Sequence, residues 1–261
     1  MSNEALILQS DTGATRTLTL NRPAAMNSFT TAMHRELMSA LDMAVGSAEV
    51  RCLVITGAGR GFCAGQDLSD PEAAPGKDLG ALINTYYLPL VQRIRSMPMP
   101  VIAAVNGVAA GAGANLALCC DFVLAARSAS FIQAFAKIGL VPDTGGTWLL
   151  PRLVGQARAT GLAMLGDKLP AADAAAMGLI WQCVDDAAMP EAVTALAGRL
   201  AAMPTRALVA TREALAAAQG MDLEQALRHE ARLQTELGGA HDYLEGVDAF
   251  RNKRAPRFTD R

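Results

Sequence analysis

Three short segments carry the residue types from which an active site can be built: Arg60-Gly-Phe-Cys-Ala-Gly-Gln-Asp67, Gly111-Ala-Gly-Ala-Asn115 and Gly139-Leu-Val-Pro-Asp-Thr-Gly-Gly-Thr147. Glycine and alanine let a ligand approach the backbone closely, and a helix start leaves its first N–H groups unpaired. Two such donors aimed at one carbonyl oxygen would stabilise an enolate as negative charge develops there. Asp143, a carboxylate in a Pro/Gly-rich turn that opens a helix, is the candidate acid–base. The same residues have a plain structural use. Turns and close packing also need small side chains, and an aspartate before Thr-Gly-Gly can cap a helix.

Other chemistries lack their residues. Gly57-Ala-Gly59 has no Gly-Lys-Ser/Thr ending for a phosphate loop, and neither a Gly-x-Gly-x-x-Gly opening nor a Gly-x-Ser-x-Gly elbow is present. Cys63 has no identifiable base beside it and reads as a packed small side chain. His34, His229 and His241 are far apart in sequence, which gives no metal-binding spacing.

These segments need rigid elements to position them. Strands are predicted at Leu6 to Leu8, Thr17 to Leu20, Cys52 to Thr56, Val101 to Val105 and Phe122 to Ala125. Met33, Leu37, Leu41 and Ala44 mark a helix from Thr31 to Val45 with Thr30 as its N-cap, and a second helix, from Leu79 to Ser96, should kink or break at Pro89. Leu116 to Cys120 continues the second glycine segment as a short helix. The repeated order of strand, small-residue loop and helix predicts an α/β core. Beyond Gly155 the chain turns helical and alanine-rich, and a boundary near residue 195 would separate a 1–195 core from a 196–261 helical region that covers the core or joins subunits.

The chain of 261 residues is 51% hydrophobic with a formal net charge of −2, which excludes general disorder and gives no reason to expect a nucleic-acid partner. Arg251, Lys253, Arg254, Arg257 and Arg261 form a basic tail, suited to solvent, a phosphate-rich ligand or a partner subunit. No apolar segment reaches the roughly 20 residues of a membrane span. The opening residues, with Glu4, Gln9 and Asp11, do not read as a secretory leader. Five cysteines without Cys-x-x-Cys spacing point to a reduced, cytoplasmic setting.

Taken in order, Leu20-Asn-Arg-Pro23, Asn27, Phe62-Cys-Ala-Gly-Gln-Asp-Leu68, Asn106-Gly-Val-Ala-Ala-Gly111, Cys120-Asp121, and Pro142 with Gly145-Gly-Thr147 resemble the crotonase, or enoyl-CoA hydratase/isomerase, family over nearly the whole chain. The resemblance implies a spiral ββα core with a helical C-terminal region, a homotrimer or dimer of trimers, and an acyl-CoA thioester substrate. It implies no metal, flavin or nicotinamide cofactor, CoA being the carrier portion of the substrate. By the family pattern the N–H groups of Ala64 and Ala112 form the oxyanion hole, with Ala112 where glycine is usual. Gly65, Gln66, Asp67 and Gly111 would line the acyl and pantetheine region, and the basic tail would approach CoA phosphates.

The departures concern acids. Asn115 and Phe135 stand where a hydratase of the family carries its two glutamates, so paired-acid hydration is not expected. Asn115 would orient a ligand or support a helix start, and Phe135 would dry its side of the pocket. Asp143 stands where several isomerases of the family place a single acid. Residues 51–67, 134–143 and 145–151 resemble a phenylacetate-degrading branch. This implies conversion of ring-1,2-epoxyphenylacetyl-CoA to 2-oxepin-2(3H)-ylideneacetyl-CoA. The alternatives are a general Δ3,Δ2-enoyl-CoA isomerase, an enoyl-CoA hydratase, and a CoA-binding scaffold subunit without activity.

Overall fold

Short apolar runs broken by small-residue corners wind this chain into repeated strand–strand–helix turns. The structure, a computed structural model, describes residues 5–260; Glu4 of the opening residues and Arg261 of the basic tail lie outside the described residues. In chain order the first elements are β1 (Ile7–Thr12), β2 (Thr15–Leu20), α1 (Thr31–Gly46), β3 (Cys52–Gly57), β4 (Gly61–Cys63), α2 (Leu79–Leu82) and α3 (Leu88–Arg95). Next come β5 (Val101–Val105), β6 (Val108–Ala110), α4 (Ala112–Leu118), β7 (Phe122–Ala126), β8 (Ser130–Ile132), α5 (Gly146–Val154) and α6 (Gln156–Leu165). β9 (Lys168–Pro170), α7 (Ala171–Ala176), β10 (Gln182–Val184), α8 (Met189–Ala201), α9 (Thr205–Ala218), α10 (Leu223–Gly238) and α11 (His241–Arg251) complete the chain.

Two sheets result, one of order β1-β2-β3-β5-β7-β10 and one of order β4-β6-β8-β9. The pairs β3/β4, β5/β6 and β7/β8 each place their first strand in the large sheet and their second in the small one. This is the spiral ββα arrangement. Pairing from β2 through β10 is parallel, and the central strands β3 and β5 are covered on both faces, so Cys52, Leu53, Val54, Ile55 and Val101 to Val105 form an unbroken apolar core. The corners require glycine. A Cβ on Gly107 would sit 2.1 Å from the Arg60 carbonyl oxygen of the preceding turn. Asn106 ties the same two turns, accepting from Gly57 N–H at 3.1 Å and donating to Gly59 O at 3.0 Å.

The predicted strands and α1 with its Thr30 cap are present; the Thr30 side chain accepts from Met33 N–H. The segment from Leu79 to Arg95 does not break at Pro89: the chain stays helical throughout, and a π-turn over Ile83–Tyr87 widens the hydrogen-bond spacing just before the proline, which accommodates the N–H that Pro89 lacks. The three-residue strands of the small sheet have no periodicity long enough to read from sequence. Residue 195 falls inside α8, which packs across β2, β3, β5 and β7. A division at the Pro204 break between α8 and α9 is the proposal that fits this packing. Arg212 on α9 fastens the helical region to the core, pairing with Asp121 at 2.9 Å and donating to the carbonyls of Met97 and Met99. No helix among the described residues is long and apolar enough to cross a membrane.

Candidate active site

Asp143 does not cap the helix that comes after it. Helix α5 begins at Gly146 with Gly145 as its N-cap and no side-chain capping bond. The Asp143 carboxylate is half-buried and accepts the Thr144 hydroxyl at 2.8 Å. Burial pushes its pKa above the ordinary carboxylate range, and the Thr144 hydroxyl and its own N–H partly offset this. Thr144 at φ 52° and Gly145 at φ 80° place two successive residues in the left-handed region. For β-branched Thr144 such a conformation costs on the order of 1–3 kcal/mol and persists only where neighbours enforce it.

Asn115 enforces it. This fully buried residue of α4 donates through Nδ2 to the Asp143 carbonyl at 2.8 Å, and its Oδ1 accepts from Gln133 Nε2 at 2.8 Å. Gly146 N–H donates to the same Asp143 carbonyl at 2.8 Å. A Cβ on Gly146 would collide with Asn115 Nδ2 at 2.3 Å, so α4 and the turn fit against each other only with glycine there. Asn115 therefore holds the acid's backbone instead of facing a ligand with a free amide.

Of the two expected oxyanion donors, Ala112 and Ala64, the structure contradicts the second. The Ala64 N–H is spent on the Met26 carbonyl at 2.9 Å. Further along the loop, Phe29 N–H donates to Gly65 O at 2.7 Å and Asp67 N–H donates to Phe29 O at 2.8 Å, an isolated parallel bridge centred on Phe29 and Gln66. In this pattern the Gln66 N–H points away from Phe29. Gly65, at φ 91°, lies against the second loop: a Cβ there would be 2.8 Å from Ala110 O and 3.3 Å from Ala112 N. Ala112 is the first residue of α4, beyond the reach of intrahelical bonding. Among the described residues neither the Gln66 nor the Ala112 N–H has a protein acceptor. The pair available for a carbonyl oxygen is thus Gln66 and Ala112. Only the long-range bridge to Phe29 reveals which of three consecutive loop N–H groups is turned outward.

The remaining expected residues divide. Gly111 meets Phe135, whose Cζ would lie 3.7 Å from a Cβ at that glycine, and Phe135 is buried. The Gln66 side chain accepts from the Tyr87 hydroxyl at 2.7 Å. The Asp67 carboxylate, expected along the acyl region, accepts from the Ser69 hydroxyl and N–H and pairs with Arg22 at 2.9 Å, and these partners hold its pKa below the usual range against the opposing effect of burial. It braces the loop. Burial pushes the Cys63 thiol up to about 12, in keeping with a packed side chain. Tyr87, Gln133 and Arg22 were not singled out in sequence, since each reaches the site only through tertiary contact, and Thr144, though next to Asp143, shows its role only through the turn that folds its hydroxyl back on the carboxylate.

Two further clusters lie elsewhere. A cavity of about 350 Å³ beneath α5 and α9, lined by Trp148, Leu200, Leu208 and Arg212, does not include Asp143, Ala112 or Gln66. His241, Asp242 and Asp260 bring possible ligand atoms within 4.8 Å of one another. The Asp242 carboxylate there accepts the N–H groups of Thr259 and Asp260, which staples the C-terminal segment to α11. In the basic tail, Arg254 is committed to Glu245 and Asp248 within the chain.

The Enoyl-CoA hydratase/isomerase family signature matches residues 12–261. The chain is 51% identical over 246 residues to the 1,2-epoxyphenylacetyl-CoA isomerase of Escherichia coli K12, covering 93% of this chain and 94% of that protein. It is 52% identical over 244 residues to a probable enoyl-CoA hydratase of Rhodobacter capsulatus, covering 94% of each. The crystal structure of an enoyl-CoA hydratase from Bacillus anthracis superposes with a TM-score of 0.92 at 32% identity, covering 98% of this chain and all of the other. Spiral core, paired N–H loops and overall similarity agree: the chain belongs to the crotonase, or enoyl-CoA hydratase/isomerase, family.

Proposed function

We propose that this protein is an isomerase converting ring-1,2-epoxyphenylacetyl-CoA to 2-oxepin-2(3H)-ylideneacetyl-CoA. The observation that carries the reading is a single acid free for chemistry, Asp143, in a site whose two other acid positions hold an amide fixed to that acid's own backbone and a buried phenyl ring. Two relatives of nearly equal identity bear different names, one isomerase and one hydratase, so similarity alone does not choose between them. Hydration needs one group to activate water and another to protonate the α carbon. Isomerisation needs one group that takes a proton and returns it.

In the proposed reaction the N–H groups of Gln66 and Ala112 bind the thioester oxygen and lower the cost of the enolate. The carbon–carbon bond shared by epoxide and ring opens to give the seven-membered oxepin. Asp143 removes a proton from the α carbon, the electron pair left there becomes the second bond between the α carbon and the adjoining ring carbon, the double bond from that carbon to its ring neighbour gives its pair to the neighbour, and the proton returns to that neighbouring ring carbon. Substrate and product have the same formula. No oxidant, reductant or water enters, and CoA serves as the carrier.

The raised pKa of Asp143 suits this exchange, because a carboxylate that costs less to protonate is a stronger base. Phe135 and Gly111 place apolar surface beside the Ala112 donor, which strengthens the electrostatic effect of the N–H groups. The test is turnover of the ring-epoxide thioester against that of a simple 3-enoyl-CoA, followed by product mass and ultraviolet absorbance. The reading expects kcat/KM to favour the epoxide. Strong preference for the 3-enoyl thioester would reassign the protein as a general Δ3,Δ2-enoyl-CoA isomerase.

A further inference from the structure

Tyr87 ends the π-turn Ile83–Tyr87 between α2 and α3. A π-turn inserts one residue into a helix and rotates the residues beyond it. It gives up regular helical hydrogen bonding and recurs at functional sites. Here it delivers a phenol that is 1% exposed, with its hydroxyl donating to Gln66 Oε1 at 2.7 Å.

The tyrosine ring is itself held in place. It meets Phe29 edge-on at 6.1 Å and His34 edge-on at 4.3 Å, and the His34 ring stacks on Phe29 at 4.6 Å. Phe29 is the residue whose backbone grips the chain at Gly65 and Asp67, on either side of Gln66. Gln66 is therefore fixed twice within one aromatic cluster, through its main chain by Phe29 and through its side chain by Tyr87. Burial, followed by the nearby Asp143 charge, raises the phenol's pKa and so keeps the proton on the hydroxyl, and because Gln66 Oε1 can only accept, the phenol is the donor in this bond.

We propose that Tyr87 is a positioning residue that fixes the direction of the Gln66 peptide N–H toward the thioester oxygen, and that the π-turn exists to bring its hydroxyl there. The inference rests on the reading that Gln66 and Ala112 polarise the thioester. A preorganised donor acts through its orientation, and complete loss of one costs about 10² to 10³ in rate. Loosening it should cost less. Tyr87→Phe is expected to lower kcat for the ring-epoxide thioester by roughly 10-fold, with KM within about twofold of the parent, since ground-state binding of CoA is not touched.

The deciding measurement is isotope-edited infrared spectroscopy of the thioester carbonyl in bound phenylacetyl-CoA, which lacks the epoxide and cannot undergo the reaction. In the parent protein the C=O stretch should fall relative to free ligand. In Tyr87→Phe the fall should be clearly smaller while the melting temperature changes little. Gln66→Leu removes the acceptor but keeps the N–H, so it should give the same spectrum and serves if Tyr87→Phe does not fold. An unchanged carbonyl shift and kcat in these variants would overturn the role of Tyr87 and leave thioester polarisation standing. No shift in the parent protein would overturn both.

Discussion

Asp143 works against its own stability. Its carboxylate is partly withdrawn from water, and burial raises its pKa in the folded chain. The charged form is therefore disfavoured by folding, with the cost present above the folded pKa and absent once pH falls below that of the unfolded carboxylate. Asp143→Asn should melt at a temperature no lower than the parent at pH 7 to 8, and any advantage should vanish in acid. Scanning calorimetry across pH checks this. Thr144 acts in the opposite direction, its hydroxyl stabilising the charged form at 2.8 Å. Thr144→Ala should move the acidic limb of the kcat/KM profile to higher pH; a limb that stays or moves down would remove Thr144 from the acid's control.

At the scale of elements, the site is a contact between the start of α4, the turn before α5 and the loop after β4. Asn115 joins the first two. Asn115→Asp keeps the shape but replaces a donor with a carboxylate facing the Asp143 carbonyl. It should lower stability by about 1–3 kcal/mol, the penalty for an unsatisfied buried group. It should also reduce isomerisation without creating hydration of a 2-enoyl-CoA; chemical denaturation and product mass measure the two effects. Gly65→Ala should cost more activity than stability loss alone explains, because the new methyl lies 3.3 Å from Ala112 N as well as requiring φ 91°. Crystals or binding assays with an acyl-CoA would show whether the Ala112 donor is covered. The long-period elements were legible in the chain: α1 with its Thr30 cap, the strand runs at Cys52 and Val101, and the glycine loops after them. Gln66 in place of Ala64 was not, since the choice depends on a bridge to Phe29 across distant sequence. The structural work of Asp67 was hidden for the same reason, its partner Arg22 lying 45 residues away.

At the scale of the molecule, a nearly buried ion pair between Arg212 and Asp121 fastens α9 to the core. Arg212→Ala would leave Asp121 and two carbonyl groups without their partner, and a loss of about 3–5 kcal/mol is expected. Hydrogen exchange should show α9 loosening before the sheets. The C-terminal helices expose Leu223, Leu227, Tyr243, Leu244 and the 85% exposed Phe250, more apolar surface than an isolated chain carries comfortably. A homotrimer or dimer of trimers is the proposal that covers it, and light scattering should give three or six times the 27.3 kDa chain. The most direct test of a single-acid isomerase is turnover by Asp143→Asn, measured with the ring-epoxide thioester beside acyl-CoA binding by calorimetry. Isomerisation should fall by about 10² to 10⁴ while binding stays within a few-fold of the parent. Turnover at the parent's rate would contradict the role of Asp143.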